Sequence, residues 1–152
     1  MPNYKAHLSA GFVVYLVLFY LVYNFSASIL QAAQLLLCCL IGSIFPDVDT
    51  KSKMQKIFYV SLLFVFIFLV FHNKIQLMIV LSFIGLAPLL VKHRGIFHKP
   101  WFIMLIAFSV SCAADAYCPG CLRQALIYSL FFVSGAISHI WLDVGFKRML
   151  RL

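Results

Sequence analysis

Apolar residues fill six long runs along this chain, and the polar residues collect at their ends. The runs extend from about Leu8 to Tyr23, Ala27 to Phe45, Ile57 to Phe71, Ile75 to Val91, Pro100 to Tyr117 and Gln124 to Val144. A helix needs about 20 apolar residues to cross ~30 Å of hydrocarbon, so 152 residues accommodate about six spans joined by short connections. The third run is the shortest, but the polar turn from Met54 to Lys56 can extend it by snorkelling. Pro100 suits the first turn of the fifth helix. The chain reads as an all-α, polytopic membrane helix bundle, a single transmembrane domain over 1–152. A re-entrant third or fifth segment is the competing arrangement.

The first run follows Lys5 and ends near Ser26-Ala27-Ser28, a small-residue stretch like a signal cleavage site. It is at the long end for a signal core, and cleavage would discard His7, so a retained first span is expected. Basic residues set the orientation. Lys5, then Lys51, Lys53 and Lys56, then Lys92, Arg94 and Lys99, then Lys147, Arg148 and Arg151 fall on one side, against Lys74 and Arg123 on the other. By the positive-inside rule both termini are cytoplasmic.

Composition supports lipid as the solvent: 64% of residues are hydrophobic and 11% charged, where a soluble domain is about half apolar and a quarter charged. The net charge of +8 sits at the ends of apolar runs, where it meets anionic headgroups. Membrane lipids are therefore the expected partners, and nucleic acid is not; the oligomeric state is left open. Cys38, Cys39 and Cys112 lie inside apolar runs as small hydrophobes. Cys118 and Cys121 have C-x-x-C spacing, in a connection too short to present a thiol-disulfide active site, and read as a small structural disulfide or two unpaired thiols.

The candidate chemistry lies at one end of the expected bundle. His7 starts the first helix, Asp47 and Asp49 end the second, His93 and His98 lie between the fourth and fifth, and His139 and Asp143 occupy the last turns of the sixth. Four of five histidines and three of four acids thus meet at one face. His139 and Asp143 are four apart and share a helix face. Pro46 is expected to hold Asp47 and Asp49 extended, with both carboxylates on one side, and Gly95 to turn His93 and His98 toward each other. Imidazole and carboxylate donors without thiolate suit zinc, manganese or iron, and these seven residues are enough for one or two divalent ions.

The motifs His7-Leu8-Ser9-Ala10-Gly11, Gly42-Ser43-Ile44-Phe45-Pro46-Asp47-Val48-Asp49, His93-Arg94-Gly95-Ile96-Phe97-His98 and Gly135-Ala136-Ile137-Ser138-His139-Ile140-Trp141-Leu142-Asp143 occur in this order. Together they resemble the YdjM-like family of membrane-bound proteins described as metal-dependent hydrolases. The resemblance implies a multi-spanning protein of the bacterial inner membrane. Thr50, Phe97 and Lys99 depart from the family pattern, which often has His, a hydroxyl residue and Ser at these places.

The expected activity is hydrolysis. With no Glu in the chain, the proton acceptor is expected to be Asp49, and Arg94 can hold a developing anion by a bidentate contact. Lys99 and the start of the fifth helix add further attraction for an anion, so the expected substrate is a phosphoester, and the position at the cytoplasmic headgroup level favours a lipid one. A metal-binding module that catalyses nothing and a structural membrane protein are the alternatives.

Overall fold

The computed structural model describes residues 4–23, 27–49, 53–71 and 96–145, with Asn73, Ile75, Met78, Ile79, Ser82, Phe83, Gly85 and Leu86 between the last two stretches. Of Asp49 it describes the backbone alone. All regular structure among these residues is helical. The helices are α1 (Tyr4–Tyr23), α2 (Ile29–Ile44), α3 (Lys53–Phe71), α4 (Pro100–Tyr117) and α5 (Leu122–Val144), with 3-10 turns at Phe45–Asp49 and Ile96–His98.

Local chemistry explains the ends. Ser28 is extended, and its hydroxyl accepts the Gln31 N–H at 3.2 Å to cap α2. Pro100 opens α4, where its missing N–H is not needed. Asp115 Oδ1 accepts the N–H groups of Gly120 and Leu122, each at 3.0 Å, which closes the turn from α4 into α5. Gly145, at φ 76°, ends α5. Two boundaries run beyond the apolar stretches: α1 begins at Tyr4, so His7 is in its first turns, and α3 begins at Lys53.

Among the described residues, four segments are long and apolar enough to cross a membrane: Tyr4–Tyr23, Ile29–Val48, Pro100–Tyr117 and Leu122–Val144. The apolar stretch of α3, Gln55–Phe71, is shorter. Of the fourth expected span, the described residues from Ile75 to Leu86 are helical except Asn73 before them, and the rest of the run lies outside the described residues. Large side chains such as Leu21, Ile29 and Phe71 project outward, 70%, 90% and 81% exposed. In water that would be a liability; in lipid it is the normal state of a helix surface.

The chain divides into two compact units, Met1–Pro46 with His98–Leu152, and Asp47–Phe97. In the second unit the Tyr59 hydroxyl donates to the Gly85 carbonyl at 2.9 Å. In the first, α5 packs against α1, α2 and α4. Lipid tails are as apolar as leucine, so close packing and hydrogen bonds must hold these helices together. Tyr15, Phe19, Leu35, Cys39 and Phe131 form one buried cluster, and Ile103, Ala136 and Ile140 another. The Tyr15 hydroxyl donates to Ala32 O at 3.1 Å, the Cys39 thiol to Gly11 O at 3.2 Å, and the Ser129 hydroxyl to Ala107 O at 3.1 Å.

Glycines set how closely three of the helices approach. A Cβ on Gly135 would lie 2.0 Å from Cys39 O, one on Gly42 2.0 Å from Phe132 O, and one on Gly11 2.7 Å from the Ser43 side chain. At Gly42 and Gly135 only hydrogen fits, so α2 and α5 meet backbone to backbone near one end, while α1 meets α2 at Gly11 through the Ser43 side chain. His7 precedes Gly11 by one turn and His139 follows Gly135 by one turn, so the seam fixes the spacing of the histidines.

Pro46 does not produce the extended segment expected of it. Phe45 has φ −58° and ψ −41°, and Phe45–Asp49 is a 3-10 turn that continues α2. Proline's fixed φ is helical as well as extended. The backbone from Phe45 to Asp49 is therefore a tight turn of about three residues per turn and not the extended segment expected.

A candidate metal centre at one end of the bundle

His139 lies on the face of α5 turned toward α2 and is fully buried. Its Nδ1 is 2.8 Å from the Ser43 carbonyl oxygen. A carbonyl can only accept, so Nδ1 carries the proton and donates. In the neutral ring Nε2 then holds a lone pair, and this atom lies 3.5 Å from Asp143 Oδ2, one turn further along α5. On the other side of the carboxylate, His7 Nε2 lies 3.5 Å from Oδ1. The Asp143 side chain is 2% exposed, and Oδ1 accepts no hydrogen bond from the described residues.

The imidazoles of His7 and His139 are stacked, with centroids 3.9 Å apart, and His98 meets His139 edge-on at 5.9 Å. One donor atom from each of His98, His139 and Asp143 lies within 4.8 Å of the others.

These observations test whether the residues suit a cation. Hydrogen bonds between nitrogen and oxygen centre on about 2.9 Å, whereas two donors ~2.0–2.1 Å from one tetrahedral ion lie ~3.3 Å apart. The two 3.5 Å separations at Asp143 match the second case better. The bond from His139 to Ser43 is also the kind of contact that orients a metal-ligating imidazole and fixes its tautomer. The donor set, nitrogen and oxygen without sulfur, is that of zinc, manganese or iron. Buried and at the ends of four helices of the first unit, the group fits a divalent ion.

Asp47 follows Pro46 in the 3-10 turn and opens the second unit. Asp49 ends that turn. Lys99 is extended at the start of α4 and makes no side-chain cap. His93, Arg94 and Gly95 lie outside the described residues. Cys118 and Cys121 carry free thiols. Burial, then Cys118 and Asp115 beside it, pushes the Cys121 thiol up.

Two features of the site went unread in the sequence. The Ser43 carbonyl is a backbone group, and no residue type marks it. The glycine seam did leave a signal, since Gly11, Gly42 and Gly135 each interrupt an apolar run about one turn from a candidate ligand.

All-helical, lipid-facing and with a His/Asp group gathered at one end, the molecule is a helical membrane protein with a candidate metal centre. The family model for the YdjM inner membrane protein matches residues 1–150, and the chain belongs to that family. No curated protein and no solved structure matches it.

Proposed function

We propose that this protein is a membrane-bound, metal-dependent hydrolase that acts on a phosphorylated lipid at the cytoplasmic surface of a bacterial inner membrane, crossing it about six times. The observation that carries this reading is the buried Asp143 carboxylate between two histidine nitrogens at 3.5 Å. His98, His139 and Asp143 would hold the ion. Asp47, the first residue of the second unit, is a further candidate ligand by its sequence motif. His7 stands against the other carboxylate oxygen, and His93 and Asp49 would complete the set if a second ion is bound.

A divalent ion held by these residues would supply Lewis acidity and a water nucleophile near neutral pH. The remaining roles fall to the chain. Ser43 holds His139 by its Nδ1 proton and keeps Nε2 free of it. Asp49 would accept the proton released by the attacking water, since the chain has no Glu. Arg94 would hold the phosphate by two parallel N–H bonds, with Lys99 and the first turn of α4 beside it.

The same 3.5 Å distances are within ion-pair reach, which favours a second reading: an imidazolium–carboxylate group that only ties helices together. The test is phosphate release from a panel of phosphorylated lipids by detergent-purified, metal-loaded protein. Arg94→Ala is expected to reduce turnover about 100-fold or more, with Arg94→Lys in between. Unchanged turnover of every phosphorylated lipid by Arg94→Ala would remove the phosphoester reading.

A further inference from the structure

At the opposite end of the first unit, α1, α2 and α5 part to form a groove of about 640 Å³. Gln124 in its wall is fifteen residues from His139 on the same helix, ~22 Å at ~1.5 Å per residue, so the groove is separate from the metal centre. Three of the chain's five glutamines, Gln31, Gln34 and Gln124, line it together with Arg123. They stand in the first turns of α2 and α5, at the level where a span meets the headgroup layer.

Hydrogen bonds orient these amides. Gln124 Nε2 donates to the Tyr128 hydroxyl at 3.1 Å, and that hydroxyl donates to Gln34 Oε1 at 2.7 Å. The Gln34 oxygen is thereby engaged, and its two Nε2 protons have no partner among the described residues. Gln31 Nε2 spends one proton on the Tyr23 hydroxyl at 2.8 Å and keeps the other. Arg123 forms no ion pair among the described residues. The one acid of the adjoining turn, Asp115, turns its Oδ1 to the N–H groups of Gly120 and Leu122. What the groove has left over is N–H donors and a positive charge, beside the apolar side chains of Val22, Leu30 and Ile127.

We infer that this groove binds a phosphate-bearing anion, with Arg123 matching its charge and the three glutamine amides taking further oxygens. A guanidinium and several amide donors complement a tetrahedral oxyanion. The apolar rim favours a phosphate carried on a lipid over phosphate alone. The inference does not depend on the metal centre.

Calorimetric titration of the full chain in a nonionic detergent with a chelator tests it, using dioctanoyl phosphatidylglycerol, dioctanoylglycerol and inorganic phosphate. Arg123→Gln removes the charge, and Gln34→Glu keeps the shape but places a carboxylate in the groove; thermal unfolding checks that both fold. The expected result is binding of phosphatidylglycerol and not of dioctanoylglycerol, weakened about 10-fold or more by each substitution. Binding of inorganic phosphate with equal affinity and the same sensitivity would support the anion site with free phosphate as its source. Equal binding of the two lipids, or phosphatidylglycerol binding that neither substitution changes, would overturn it.

Discussion

Asp143→Ala is expected to weaken metal binding at least 100-fold, measured by competition with a chromophoric chelator. Loss of a group that merely orients a ligand costs 10- to 100-fold, and Asp143 is placed as a ligand, facing His7 and His139 nitrogens at 3.5 Å. Asp143→Asn, which keeps the shape and loses the charge, should fall between. Thermal unfolding separates this account from the ion-pair reading. If the carboxylate binds metal, the difference in melting temperature between wild type and Asp143→Ala grows as metal is added, because an ion that binds only the native state stabilises it. If the carboxylate instead pairs with an imidazolium, the substitution leaves a buried charge alone and costs about 3–5 kcal/mol even in a chelator.

The second large effect is at the seam. Gly135→Ala is expected to destabilise the protein by about 3 kcal/mol or more, at the upper end of overpacking. The added Cβ would lie 2.0 Å from Cys39 O and 2.9 Å from Ser43 N, both backbone atoms that cannot rotate away. Relief requires α2 and α5 to separate, which pulls the Ser43 carbonyl from His139 one turn on, so metal affinity should fall too. Gly120→Ala is the comparison. Its Cβ would meet nothing within 4 Å, and only the φ of 89° is unfavourable, at about 1–2 kcal/mol. Similar melting temperatures for the two variants would show that the seam is looser than described.

Much of this was legible from residue pattern alone, because lipid imposes a simple rule: long apolar runs become helices, and polar groups go to their ends. The runs ending at Tyr23, Tyr117 and Val144 gave helices ending at those residues, and Pro100 stands at the first turn of α4. The gathering of His7, His98, His139 and Asp143 at one end followed from alternating helix direction. The conformation after Pro46 was misread because proline's fixed φ fits both an extended strand and a helical turn. The role of Asp115 was not legible in the sequence, since its partners are backbone N–H groups across a turn. The donor-rich groove was hidden because Gln31 and Gln34 are far in sequence from Arg123 and Gln124, and only the packing of α2 against α5 brings them to one wall.

Whether the His/Asp group holds an ion is decided by elemental analysis of detergent-purified protein, with His98→Ala and Asp143→Ala alongside. The account predicts one or two equivalents of zinc, manganese or iron in the wild type and loss of metal in both variants. No metal in the wild type, even after reconstitution with each ion in turn, would contradict it.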